Sequence, residues 1–226
     1  LAARKTRTAQ IIRILAGLYP HPECALTHAN AFELLVATIL SAQCTDARVN
    51  KVTPALFKKY PTPKAMAAAA PAQLEKLIQS TGFYHSKAKS LLAASADIVA
   101  KHGGEVPSTM EERTALRGVG RKTANVVLGN AFGQNVGVVV DTHVTRVSGR
   151  LGLTRNTDPV KIEQDLMKLV PQPQWTNFSH WLIVHGRETC FARRPACERC
   201  PLLALCPTGP KLMKKKWSAK ADRKEG

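Results

Sequence analysis

The run Leu116-Arg117-Gly118-Val119-Gly120-Arg121-Lys122 has the residue types of a turn that can grip a phosphate chain. Two glycines one residue apart, between two helical patterns, describe a tight hairpin of bare backbone. N–H groups at a helix start then face an anion with no side chain in the way. Lys122, directly beyond the hairpin, can sit beside a nucleic-acid backbone, and Asp141 follows downstream as an acidic residue. That combination suggests chemistry on DNA rather than adhesion to it. Competing nucleotide motifs fail: a phosphate loop would need glycine where Ala115 stands and lysine at Arg121. A dinucleotide fingerprint would need a third glycine where Thr123 stands. From this stretch alone, an ordinary turn followed by a solvated lysine remains an open reading.

A second constellation lies near the end, Cys190-x6-Cys197-x2-Cys200-x5-Cys206. Clustered thiols in a chain with no secretion signal point to metal rather than to a disulfide framework. Four-cysteine zinc sites usually arrive as two Cys-x2-Cys hooks, and only one such pair exists here. Loops of six and five residues suit ligands reaching the corners of a larger cubane, which favours iron–sulfur over zinc. With cysteine at every corner no iron position stays open, so the expected role is a staple for the C-terminal region. Phe191, Arg193 and Arg194 lie in the first loop, where the arginines could meet DNA phosphates.

The elements that must position these groups read as helices almost throughout. Of 226 residues 44% are hydrophobic, enough for one large core or two small ones. Ile11, Ile12, Leu15 and Leu18 form a first apolar face, and Asn30 caps a helix with Phe32, Leu35, Ile39 and Leu40. Thr45 caps the next, with Val49, Val52, Leu56 and Phe57 on one side. Leu74, Leu77 and Ile78 mark a short helix; Leu91, Leu92, Ile98 and Val99 mark another, closed by Gly103-Gly104. Ser108 and Glu111 read as a capping box ahead of the hairpin. Val126 to Leu128 follow it, Asp158-Pro159 opens a helix with Ile162, Leu166 and Leu169, and Trp175, Phe178, Trp181 and Leu182 give a last helical face. Val136 to Val140 has strand composition but no partner strand, and reads as a buried extended connector ending at Asp141. Net charge is +17, from 33 Lys and Arg against 16 Asp and Glu. The segment from Pro210 carries only +5 of it, so the body itself is cationic and a polyanionic partner is expected. No apolar run approaches the ~20 residues that span a bilayer.

Taken together, Leu40-Ser41-Ala42-Gln43, Gly118 to Ala124, Asp141-Thr142-His143, His185-Gly186-Arg187 and the cysteine spacing resemble the endonuclease III family of helix–hairpin–helix DNA glycosylases. The resemblance runs from about Thr8 to Thr208. It implies an all-α protein: a six-helix barrel domain over 24–134 with the hairpin at 116–122, and an iron–sulfur domain joining 1–23 to 135–209, its cluster loop at 190–206. The DNA cleft would lie between them, and residues 210–226 would form a basic, disordered tail. It also implies a 4Fe–4S cluster held by the four cysteines. The implied activity is excision of oxidised pyrimidines from duplex DNA, with strand cleavage by β-elimination at abasic sites. A monomer in the cytoplasm of a prokaryote, associated with the nucleoid, is the implied setting, with no membrane partner.

Residue roles follow from the resemblance. Lys122 would be the nucleophile forming a Schiff base with deoxyribose, and Asp141 would stabilise positive charge on the sugar or help deprotonate Lys122. A free lysine is neutral in only about one molecule in 2,500 at pH 7, so a nucleophilic role requires surroundings that disfavour the ammonium form. Burial against the flipped nucleotide and cations such as Arg121 act in that direction. Gln43 and Phe83 would fill the gap left by the extruded nucleotide. Gly118, Gly120, Arg121, Thr123, Arg193 and Arg194 would contact DNA, and Ser41, Asp46 and His143 would support the site. Asp141 also suits a plain N-cap, Phe83 a core position, and His143 and His185 packing roles. Three features depart from the family pattern: Arg117 where proline is usual, Phe83 where leucine is usual after Gly82, and one extra residue between Lys122 and Asp141. An adenine or mismatch glycosylase on the same scaffold and a non-catalytic, redox-sensing DNA binder are the alternatives.

Overall fold

The computed structural model describes residues 2–214. Among them every regular element is helical. The chain divides into two compact units, Cys24–Val136 and a discontinuous one made of Leu1–Glu23 with Gly137–Gly226. Each has its own apolar core.

The continuous unit holds α2 (Ala31–Leu40), α3 (Asp46–Lys59), α4 (Pro63–Ala67), α5 (Pro71–Ile78), α6 (Tyr84–His102), α7 (Met110–Thr114) and α8 (Arg121–Phe132). Its centre is α2, buried at every position from Leu34 to Leu40, as a helix apolar on all sides must be. Start signals written in the sequence operate as read: Asn30 accepts from the Glu33 N–H and Thr45 from that of Arg48. One does not. The box ahead of the hairpin is Thr109 with Glu112, one residue beyond Ser108 and Glu111, with the Thr109 hydroxyl 2.7 Å from the Glu112 carboxylate. Val99 is partly exposed rather than core, and α4, opened by Pro63, has too few apolar residues to show a period.

Two cations of this unit are buried without an acidic partner among the described residues. Lys87 donates from Nζ to the carbonyls of Leu40 and Thr81, both at 2.8 Å, and burial lowers its pKa. Arg113 is wholly buried on α7; its Nε donates to the Pro107 carbonyl at 2.6 Å and its guanidinium lies 4.4 Å from the ring centre of Phe132 at the end of α8. Desolvation brings the Arg113 pKa down to about 10.

The discontinuous unit holds α1 (Ala2–Leu18), α9 (Thr142–Arg150), α10 (Pro159–Met167) and α11 (Trp175–Glu188). Ile11, Ile12 and Leu15 of α1 are buried with Phe178, Trp181 and Leu182 of α11, whereas Leu18 is exposed. Val136 to Val140 forms no strand; Val138, Val139 and Val140 are buried in an extended connector, and the Val139 N–H donates to the Ser179 hydroxyl at 2.9 Å. Arg7 fastens α1 to distant turns through the carbonyls of Leu151, Gly152 and Leu205. Residues 209–214 are helical, not disordered; the tail expected to be disordered otherwise lies outside the described residues.

Candidate functional site

The hairpin is built by burying its two ends and exposing its middle. Leu116 and Val119 sit in the core, while Arg117, Gly118 and Gly120 are exposed. The Val119 N–H closes the turn onto the Leu116 carbonyl at 3.1 Å, with Gly118 at φ +81°. A Cβ on Gly118 would stand 2.7 Å from the Ser90 side chain of α6, so the position is closed to any other residue. Gly120 has an ordinary φ and no atom within 4 Å of where a Cβ would be. The fold does not require glycine there; open approach from outside is what it leaves. α8 starts at Arg121 with no side-chain cap, so its first amides stay available to an anion. Lys122 is exposed in that first turn.

Beside the hairpin opens a cavity of about 290 Å³ lined by Gln43, Phe83, Ser86, Ser90, Gly118 and Thr123 among others. Gln43 and Phe83 both take left-handed backbone, φ +52° and +48°, and Phe83 is 64% exposed, which rules out a core role. Lys87 ties together the segments that carry them, since its two carbonyl partners lie just before each. Sequence reasoning passed over Lys87 because a lysine in an amphipathic helix carries no signal of burial. The Ser41 hydroxyl donates to the Thr38 carbonyl, and Asp46 opens α3.

In the other unit Asp141 caps α9, its Oδ1 accepting the Val144 N–H at 2.8 Å. The cap uses one carboxylate oxygen. His143 meets Arg146 Nη2 at 3.1 Å through Nδ1, and burial lowers its pKa. Arg146 continues to the carbonyls of Gly186 and Cys190. A Cβ at Gly186 would press to 3.0 Å on both His143 and Arg146, which explains the glycine between His185 and Arg187. His185 is buried, its pKa pushed down to about 4 by desolvation, between the Tyr19 hydroxyl at 3.4 Å and the Cys200 sulfur at 3.5 Å.

Cys190, Cys197, Cys200 and Cys206 are all unpaired and line one hollow. Burial raises the thiol pKa of Cys197 and Cys200, and the neighbouring cysteines raise it further. Thiolates gathered this way need a shared cation. Among the described residues no three His, Cys, Asp or Glu groups stand close enough to hold a single metal ion. Four cysteines lining one hollow, spaced with six- and five-residue loops, suit the corners of a multi-iron cluster. N–H donors converge on the same sulfurs: Arg150 Nη1 reaches Cys190 at 3.3 Å and the Gly209 amide reaches Cys206 at 3.3 Å. Arg150, which the spacing of the cysteines gave no reason to single out, also holds the Phe191 and Ala192 carbonyls of the first loop. Arg193 and Arg194 are exposed on that loop, Arg194 at φ +52°.

Residues 36–172 match the HhH-GPD superfamily base excision DNA repair protein family, and residues 190–206 match the iron–sulfur binding domain of endonuclease III. Endonuclease III of Synechocystis sp. is 56% identical over 208 residues, 92% of this chain and 95% of its own. That of Escherichia coli is 41% identical over 202 residues, 89% of this chain and 95% of its own. A non-covalent endonuclease III–DNA complex is similar in structure, with TM-score 0.88 and 45% identity, covering 93% of this chain and 98% of that one. A thermostable thymine-DNA glycosylase, at 22% identity and TM-score 0.82 over 93% of this chain and 98% of its own, shares the fold. The hairpin and Asp141 lie within the residues matched by the first family and the four cysteines within those matched by the second, and the chain belongs to the endonuclease III family, with an iron–sulfur cluster as its cofactor.

Proposed function

We propose that this chain removes oxidised pyrimidines from duplex DNA and cleaves the strand at the resulting abasic site through a Schiff base on Lys122. The observation that carries the reading is an exposed amine two residues beyond Gly120, in the uncapped first turn of α8, on a hairpin whose outer face is bare backbone. A relative 46% identical to this chain, with TM-score 0.88, is known as a trapped covalent intermediate between endonuclease III and DNA. That supports a covalent route.

The exposed backbone of Gly118 and Gly120, the first turn of α8 and the cation of Arg121 hold the strand, and Arg193 and Arg194 take further phosphates. Gln43 and Phe83 enter the stack while the damaged nucleotide turns out. The neutral Lys122 amine forms a bond to C1′ as the glycosidic bond breaks, and the electron pair leaves with the base, which is protonated. Ring opening gives an iminium between Lys122 and C1′. Loss of a C2′ proton expels the 3′ phosphate with the C3′–O electron pair, and water then hydrolyses the imine to free the amine. Asp141 supplies negative charge to the developing cation and a site for the lysine proton. Ser41, Asp46 and His143 support this arrangement from behind. When bound, the 4Fe–4S cluster supplies a closed anchor with no open iron position, which fixes the 190–206 loop. The protein acts as a monomer on DNA with oxidised bases or abasic sites, associated with the nucleoid of a prokaryotic cytoplasm.

Borohydride trapping on abasic duplex is the test. The native protein is expected to cross-link and nick, and Lys122→Gln to do neither while still binding. Cross-linking by Lys122→Gln would remove Lys122 from the mechanism, and binding without nicking by the native protein would leave only a DNA-binding module.

A further inference from the structure

Arg117 is 67% exposed, yet its Nε and its backbone N–H both donate to Asp97 Oδ2 at 3.2 Å. Asp97 itself is buried on α6, and its Oδ1 takes Lys101 Nζ at 3.1 Å. One carboxylate therefore receives three donors, two of them from a single hairpin residue. Seven residues earlier on the same helix face, Ser90 packs on Gly118. Two turns of α6 thus form the bed on which the exposed corner of the hairpin lies.

The corner itself explains why a bed is needed. Leu116 to Val119 is closed by an i to i+3 hydrogen bond, and the third residue, Gly118, has φ +81°. That is the arrangement of a type II turn, in which proline at the second position would pre-set φ and glycine at the third accepts the left-handed conformation. The second position here is Arg117, which has no ring to restrict it. What restricts it is a two-point attachment to Asp97.

We propose that Asp97 is a positioning residue of the strand-gripping hairpin: its buried carboxylate clamps Arg117 from α6 and does the work that a proline ring would do at that corner. The proposal rests on the function assigned above to the hairpin, and it makes DNA affinity depend on a residue that touches no DNA. A cation at Arg117 serving only as a phosphate contact would need neither the backbone bond to Asp97 nor the burial of that carboxylate.

The experiment follows the Val119 amide, whose bond closes the turn, by hydrogen exchange in the full-length, cluster-loaded protein without DNA. Affinity is measured in parallel for a duplex carrying a tetrahydrofuran abasic analogue. Asp97→Ala is expected to speed Val119 exchange and weaken DNA binding by about tenfold each, the scale of one charge-assisted hydrogen bond. Adding Arg117→Pro to Asp97→Ala is expected to bring both within about threefold of the native protein, because the ring restores the restriction. Unchanged Val119 exchange in Asp97→Ala, or a double variant no better than the single one, would overturn the proposal. If Asp97→Ala does not fold, Arg117→Gln, at an exposed position, reads the same clamp: faster Val119 exchange is expected, and unchanged exchange counts against it. The exchange arm needs no catalysis, so a native protein that fails to nick would sink the proposed function and leave the clamp still measurable.

Discussion

Gly118 and Gly120 are the same residue type two positions apart, held to glycine by different pressures. At Gly118 the fold forbids a side chain, since φ +81° and Ser90 at 2.7 Å leave no room. At Gly120 nothing in the chain objects. Gly118→Ala should therefore lower thermal stability, with the left-handed backbone alone costing about 1–2 kcal/mol. Gly120→Ala should cost less, under about 1 kcal/mol for alanine in place of glycine at the N-cap of α8, and weaken DNA binding. Melting curves beside duplex titrations separate the two, and equal melting loss would refute the distinction. Spacing alone announced a hairpin but not this division, because Ser90 is far away in sequence. Phe83 was ambiguous for a similar reason: its 64% exposure and left-handed backbone are tertiary facts that an isolated aromatic does not reveal.

At the scale of elements, what could be read from the sequence is local chemistry. Asn30, Thr45 and Asp158 each cap the helix they precede, because the capping oxygen and the amide that it accepts lie three residues apart. Thr109 and Glu112 were missed by one residue because adjacent hydroxyls and adjacent acids satisfy the same pattern. Lys87 and Arg113 were illegible, since which cation is buried is decided by packing between helices. Asp141 is legible twice, as cap and as candidate acid, and substitution tells these apart. Asparagine caps as well as aspartate, so Asp141→Asn should hold stability within about 0.5 kcal/mol while nicking turnover collapses. Asp141→Ala should lose about 1 kcal/mol besides. Full turnover in Asp141→Asn would leave only the cap. The contact between α6 and the hairpin carries its own pH signature. Burial opposes ionisation of Asp97, but its bonds to Lys101 and Arg117 outweigh this and bring its pKa from 3.8 to about 2. A carboxylate depressed in the folded state stabilises it fully above about 3.8, and that contribution disappears as pH falls toward 2. Asp97→Asn should flatten the acid limb of the stability profile across that window, and an unaltered limb would mean that other carboxylates dominate it.

For the molecule as a whole, charge and cofactor set the conditions of operation. A chain carrying +17 overall should lose DNA affinity steeply with salt as counterions are no longer released. Cluster removal should act on one unit alone. Cys190, Cys200 and Cys206 pack against the core shared by α1, α9, α10 and α11, whereas the core around α2 contains none of the four. Iron chelation should then bleach the visible absorption and release amide protection in residues 137–214, with protection in 24–136 retained; simultaneous loss in both would show that they fold as one. The interrupted unit also has a bearing on synthesis. Residues 1–23 leave the ribosome before 24–136, and the partners of Ile11, Ile12 and Leu15 are not made until the whole of 24–136 has followed. An inserted unit with all its contacts in hand can settle early, so the leading helix must wait with an apolar stripe uncovered. Its Arg4, Lys5, Arg7 and Arg13, unaccompanied by any acid in α1, keep like segments on neighbouring nascent chains apart during that delay. Arg7 then closes on Leu151, Gly152 and Leu205, making α1 a late latch rather than an early one.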